Sequence, residues 1–247
     1  MTWRRLGRIA LALLALLLVY QLWLFGWIVY WKWNNPAMTS FMSEQQARLA
    51  SQHPDDEFEL KHQWVAYPAI SPQLKRALVA SEDAKFLQHE GFDWEGIQTA
   101  WEKNLAKGRI VAGGSTISQQ LAKNLFLSSQ RTPWRKAEEA VITVMLEAVM
   151  DKRRIFEIYL NVIEWGDGVF GAEAAAQHHF GVSAARLSRQ QASQLAAVLP
   201  NPRNWSAGRP SAYVSTRAAW IRQQMRQLGG DSYLDTLNNS RQAPWAL

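Results

Sequence analysis

The sequence predicts an all-α protein, a helical domain behind one N-terminal membrane helix. Three observations carry this. An uncharged run fills Ile9 to Trp31, apolar residues recur at three- and four-residue spacing from Ser71 to Leu228, and no stretch shows convincing period-two alternation.

The first 31 of the 247 residues are unlike the rest, leaving 216, which suits one domain. Ile9 to Trp31 has only Gln21 as a polar side chain and is long enough to cross the roughly 30 Å hydrocarbon core. A cleaved signal peptide has a shorter apolar core, about 7 to 15 residues, ending in small residues; this run ends in aromatics. Arg4, Arg5 and Arg8 precede it and no acid occurs before residue 32, so the positive-inside rule expects residues 1–8 as a cytoplasmic tail and the domain outside. Trp23, Trp27, Trp31 and Trp33 crowd the outer end as an interfacial belt would. Residues 32–70 read as a juxtamembrane connector.

A domain over 71–230 follows. Ser71 and Pro72 open a helix with Leu74, Ala77 and Leu78 inward, running out near Glu82 to Phe86. Asp93 caps the next, in which Ile97, Trp101 and Leu105 recur, ending by Lys107-Gly108. R-I-V-A-G-G is then a glycine-containing loop and the candidate mobile segment. Ser115 is expected to cap a helix with Ile117, Leu121 and Leu125 inward. Thr132-Pro133 opens the longest helix, with Val141, Val144, Met145, Ala148 and Val149 as its core stripe. Asp151 restarts a helix through Ile155, Ile158 and Tyr159. Gly171 to Phe180 is a small-residue helix stopped by Gly181, and Ser188-x-x-Gln191 is a capping box for the helix ending before Pro200. Ser211 to Leu228 closes the domain at Gly229-Gly230, leaving 231–247 as a tail.

The net charge of +6 is partly an anchor property: three of the 27 basic residues precede the span, leaving 24 against 21 acids. That balance does not indicate a nucleic-acid surface. Without cysteine there is no thiolate nucleophile or cysteine metal site. G-D-G-V-F-G at Gly166 to Gly171 matches a dinucleotide fingerprint letter for letter but lacks the βαβ context, so it reads as a turn between helices. His178 and His179 point about 100° apart on a helix and have no second ligand pair at metal spacing.

More specific chemistry lies in G-G-S-T-I-S-Q-Q-L-A-K-N. Its apolar stripe leaves Thr116, Gln120, Lys123 and Asn124 on another face, an inventory of hydroxyl, amides and ammonium suited to sugar hydroxyls and an anion. Arg131, Arg135 and Lys136 then gather at a helix start, where the macrodipole disfavours cations; an anionic partner would explain them, as would a pairing of Arg135 with Glu139.

The blocks E-D-A-K-F-L-Q-H-E-G-F-D, G-G-S-T-I-S-Q-Q-L-A-K-N, R-K-A-E-E, K-R-R-I-F-E-I-Y-L-N and G-V-F-G-A-E-A-A-A-Q-H-H-F-G occur in that order between about residues 79 and 202. Together they resemble the peptidoglycan glycosyltransferase family, specifically its monofunctional membrane-anchored members in Gram-negative bacteria. The resemblance implies a lysozyme-like helical domain that polymerises lipid II into a growing lipid-linked glycan strand on the outer face of the inner membrane. It implies Glu82 as general base, Glu139 as the second catalytic acid, and Lys123, Arg131 and Arg135 on the donor pyrophosphate. Asp83, Phe86, Ser115, Thr116, Gln119 and Gln120 complete the expected substrate-binding set. A divalent cation, Mg or Mn, is an expected sharer of the pyrophosphate charge, with Glu139 or Asp83 as its ligand. Cell-wall synthesis or division proteins are the expected class of protein partner.

Three positions depart from the family pattern: Ser118 for a common Thr, His179 for an aromatic Tyr, and Arg154 where an acid is usual. No Ser-x-x-Lys or Lys-Thr-Gly occurs, so no penicillin-binding transpeptidase activity is expected. Two other classes remain open on sequence: a lysozyme-like or lytic enzyme that cleaves glycan, and a non-catalytic membrane-anchored scaffold.

Overall fold

The computed structural model describes residues 3–52, 59–109, 113–130, 132–228 and 231–239. Half of the expected mobile loop, residues 110–112, lies outside the described residues, as do Arg131 and the Gly229-Gly230 stop.

The chain is predominantly α. Helix α1 (Trp3–Trp31) is the one described helix long and apolar enough to span a bilayer. Most of it is exposed, but Leu24, Ile28 and Trp31, spaced four and three apart, are buried against the domain. Trp31 packs on Phe126 at 5.1 Å between ring centroids, and Tyr20 donates to Glu138 at 2.5 Å. Past Trp31 the last carbonyls of α1 need partners. Arg154 supplies them, donating to the Trp31 carbonyl from Nε and Nη2 (3.0 and 2.9 Å) and to the Asn34 carbonyl (2.6 Å).

Residues 32–70 are more than a connector. Helix α2 (Ser40–Gln52) buries Met42 and Leu49 in the domain, and strand β1 (Lys61–His62) joins a small sheet. Strands β2 (Glu164–Gly166) and β3 (Val169–Phe170) form an antiparallel hairpin, with β1 parallel to β3, in the order β1-β3-β2. The glycine-rich run read as a plain turn between helices is therefore a hairpin. Strands of two and three residues are too short to show alternation, and this one is buried on both faces. Gly171 is required at its exit: φ is +82° and an added Cβ would lie 2.7 Å from the Asn161 carbonyl oxygen.

The core gathers around α3 (Pro72–Glu82) and α7 (Lys152–Val162). Leu74, Ala77, Leu78, Ile155, Phe156, Ile158 and Tyr159 are all fully buried there. Caps start the helices as their sequences specify: Ser71 accepts from the Gln73 amide, Asp93 from Gly96 at the head of α4 (Trp94–Lys107), and Asp151 from Arg154. Helix α5 (Ile117–Phe126) packs between α7 and α6 (Pro133–Val149). Its cap is Thr116, not Ser115: Thr116 and Gln119 form a reciprocal capping box. Helices α8 (Ala172–Phe180), α9 (Arg189–Val198) and α10 (Ala212–Gln227) follow, α10 and α9 packing together over α3.

Two stripes differ from expectation. On α6 the buried residues are Glu139, Ile142, Thr143 and Leu146, while Val141 and Val144 are exposed. On α4 only Ala100 is buried, with Trp101 and Leu105 exposed. In both helices periodicity was right and phase was not, because apolar residues occupy two adjacent faces. The expected tail also changes: α11 (Asp231–Asn239) returns to the domain and buries Leu234 and Leu237.

Candidate active site

A cleft of about 1080 Å³ opens where α3, α5, α6 and α10 converge. Glu82, the last residue of α3, lies in its wall because the helix ends there, Asp83 leaving the helical conformation as C-cap. Glu82 Oε2 accepts from Gln120 Nε2 at 3.0 Å, and Oε1 stands 4.0 Å from Arg217 on α10. Only 15% of the Glu82 side chain is accessible. Burial raises its pKa; the Gln120 bond and the Arg217 charge act the other way. Tyr159 donates to Gln120 Oε1 at 2.9 Å, which turns the amide NH₂ toward the carboxylate.

A cationic region occupies the α5–α6 side. Lys123 and Arg135 both line the cleft, as do Ser115, Gln119, Lys136 and Glu139. Glu139 is buried and accepts from Arg135 at 2.8 Å and from Lys136. Lys136 also donates to Ser115 Oγ at 3.1 Å. The sequence-level pairing of Arg135 with Glu139 is thus real, and it is also part of the cleft. Two cations share one carboxylate, so this wall keeps net positive charge beside Lys123.

Three expected substrate contacts lie elsewhere. Asp83 is buried: its carboxylate accepts from the Ile117 amide at 3.0 Å and pairs with His89 at 2.9 Å. It therefore ties the start of α5 to the turn after Glu82. Phe86 is wholly buried, 5.7 Å from Phe156 between centroids. Thr116 is spent on its cap and on a 2.6 Å bond to the Gly91 carbonyl. These residues build the site without lining it. His179 has a structural partner, donating from Nε2 to the Trp165 carbonyl at 2.8 Å.

A resident divalent ion at Glu139 or Asp83 does not fit this donor set. Asp83 is committed to an amide and a histidine, Glu139 is flanked by two cations, and no cluster of three His, Cys, Asp or Glu occurs among the described residues. A cation there would face like charges and too few oxygens.

Sequence reasoning missed another part of the lining. Glu164, Arg203 and the Pro200–Asn204 loop contribute to it, with Tyr213, Arg217 and Trp220 from α10, and the Phe41 ring lies 5.7 Å from both Arg203 and Lys123. Arg203 donates from Nε to both Glu164 oxygens at 3.2 and 3.0 Å, and burial raises the Glu164 pKa against that pairing. The available signal was the spacing of Tyr213, Arg217 and Trp220, four and three apart on a face adjoining the apolar stripe.

Comparison with known proteins adds a family. Residues 48–226 match the family model described as Transglycosylase. A biosynthetic peptidoglycan transglycosylase of Laribacter hongkongensis is 74% identical over 214 residues, which is 87% of this chain and 93% of that protein. One of Chromobacterium violaceum is 62% identical over 222 residues, 90% of this chain and 96% of its own. One of Methylobacillus flagellatus is 58% identical over 224 residues, covering 91% and 95%.

Proposed function

This chain belongs to the transglycosylase family and is a glycosyltransferase of peptidoglycan synthesis, and we propose that it elongates glycan strands from lipid II by inverting transfer with release of undecaprenyl pyrophosphate. The observation that carries this reading is one partly buried carboxylate, Glu82, sharing a cleft with Lys123, Arg135 and Lys136.

In this mechanism Glu82 takes the proton of the acceptor 4-hydroxyl as its oxygen attacks the donor's anomeric carbon. The bond from that carbon to the pyrophosphate breaks, and its electron pair leaves with the phosphate oxygen. The transition state is oxocarbenium-like, so the departing group needs cations rather than a proton donor. Lys123, Arg135 and Lys136 supply them, with Arg131 an expected fourth. Glu139 orients Arg135 and Lys136 through its two ion pairs. Burial makes Glu82 a better base by raising its proton affinity, while the Gln120 hydrogen bond and the Arg217 charge favour the carboxylate form and oppose that rise.

Helix α1 suits an anchor in the inner membrane, with the arginines before it on the cytoplasmic side and the catalytic domain in the periplasm. Tethering confines the enzyme to the surface holding both lipid-linked substrates and raises their effective concentration.

Polymerisation of labelled lipid II by the wild type and Glu82→Gln, with and without chelator, tests the reading. The variant should lose about 10² to 10⁴ in rate. Near-normal polymer from it would overturn the assignment. Release of fragments from intact sacculi would favour a lytic enzyme instead.

A further inference from the structure

Helix α2 starts at a buried Thr39, whose side chain accepts from the Met42 amide at 3.2 Å. Met42, Gln45 and Leu49 are its buried residues. Phe41, Glu44 and Arg48 each precede one of them, so they form a second stripe about 100° round the helix. Each member of this stripe grips a different part of the domain. Arg48 pairs with Asp167 in the turn of the β2–β3 hairpin. Glu44 accepts from the Ser129 amide at 2.8 Å and from its hydroxyl, in the stretch that leads to α6 and its cations. Phe41 enters the lining of the cleft itself. Phe41 and Glu44 precede the matched region 48–226, so the family match does not reach them.

The partly buried Phe41 ring meets the wholly buried Phe170 of β3 at 6.3 Å between centroids, with the ring planes 72° apart. This edge-to-face contact fixes the ring from the core side. Lys123 Nζ and the Arg203 guanidinium carbon both stand over the Phe41 ring, each 5.7 Å from its centroid. The cations of the cleft are thus held in two ways. Arg135 and Lys136 pair with Glu139, and Arg203 with Glu164, and each carboxylate offsets part of the charge it holds. An aromatic face attracts an ammonium through its quadrupole and leaves the charge uncancelled. A lysine carries its ammonium on a flexible four-carbon stem, so an ammonium that must meet a departing anion has to be placed. The ring places it without neutralising it.

We propose that Phe41 is a positioning residue for Lys123: its ring sets the ammonium toward the departing pyrophosphate with its charge intact, and α2 is the clasp that carries the ring into the cleft. This rests on the proposed glycosyl transfer and adds to it a residue that touches no reacting atom. Glu44 steadies the approach to α6 through Ser129, so one helix stripe serves both groups of cations.

The test uses the full-length protein in detergent, with inorganic pyrophosphate binding read by calorimetry and lipid II polymerisation by steady-state rates. Phe41→Leu keeps an apolar side chain and loses the quadrupole. It should weaken pyrophosphate binding and lower kcat, each about 3- to 10-fold. KM should change little, because the departing pyrophosphate carries more charge than the bound diester. Phe41→Tyr retains the ring face and should recover most of both losses. The decisive comparison is a cycle with Lys123→Gln, in which Arg135 and Lys136 still supply cations. There Phe41→Leu should weaken pyrophosphate binding by less than about twofold more, as coupled residues do. No loss in Phe41→Leu, no recovery in Phe41→Tyr, or an equal loss in the Lys123→Gln background would overturn the proposal, the last by showing that the ring acts through packing. Because pyrophosphate binding is read without turnover, a wild type that binds pyrophosphate yet fails to polymerise lipid II would count against the proposed reaction and not against the placing of Lys123.

Discussion

Gln120 donates to Glu82 at 3.0 Å while holding the Tyr159 hydroxyl at 2.9 Å, so a buried tyrosine on α7 decides which end of the amide faces the carboxylate. Tyr159→Phe removes that proton and frees the amide to turn its oxygen toward Glu82. We expect kcat to fall about 3- to 10-fold with KM unchanged, the worth of one neutral hydrogen bond of roughly 1 kcal/mol. Gln120→Ala should cost more, since it removes the donor itself. Steady-state lipid II polymerisation separates the two parameters.

Glu82 also gives a pH prediction. Its folded pKa is raised above the ordinary carboxylate value, chiefly by burial. A carboxyl raised on folding favours the folded state while protonated, and that advantage is lost as pH rises through the folded pKa. Glu82→Gln has no such loss. It should therefore melt higher than the wild type at neutral pH, with the gap closing toward about pH 4, below the ordinary glutamate value. The acid limb of the wild-type rate profile should lie above the ordinary glutamate range. Calorimetry across pH and the rate profile check the two halves separately.

Helix identities and most caps were legible in the sequence because Ser71-Pro72, Asp93, Asp151 and the Ser188-Gln191 box act through local geometry. Phase was not legible where a helix carries apolar residues on two faces, as Val141 and Ile142 do on α6. Glu82, Gln120, Lys123 and Arg135 were found through short blocks that hold several cleft residues each. Arg217 and Glu164 were not: Arg217 shares its cleft face with Tyr213 and Trp220 on a helix whose adjoining stripe builds core, and Glu164 sits in a short buried hairpin. Asp83 and Phe86 lie in the block of Glu82, yet face inward. Neighbouring positions in sequence do not fix which side chain points to solvent when a helix ends between them.

The Asp83 arrangement predicts a stability phenotype rather than a binding one. Its carboxylate serves the Ile117 amide and His89 in a buried setting. Asp83→Ala leaves both without their partner and should cost about 3 kcal/mol. His89→Ala removes only one of the two bonds and should cost less. In a double-mutant cycle the two losses should fall short of additive by about 1 kcal/mol or more, as expected for residues in contact. Full additivity in chemical denaturation would mean that the pair does not act as a unit.

Arg154 yields the last prediction, and it concerns the junction of anchor and domain. Its guanidinium donates to the Trp31 and Asn34 carbonyls and the Asn35 side chain, and pairs with Glu157 at 2.9 Å. A planar fork with five N–H groups can serve these acceptors together; an ammonium is a single point donor. Arg154→Lys should therefore behave more like Arg154→Ala than like the wild type. Tyr20 and Glu138 hold the helix further down, so the anchor stays docked while its end loosens. Amide exchange at residues 31–35 should speed up about 10- to 100-fold in both variants, in line with losing bonds to a charged donor worth roughly 1.5 to 3 kcal/mol. Exchange within α9, remote from the junction, should not change. If lysine preserves protection, the charge suffices and the fork geometry does not hold this end of the anchor.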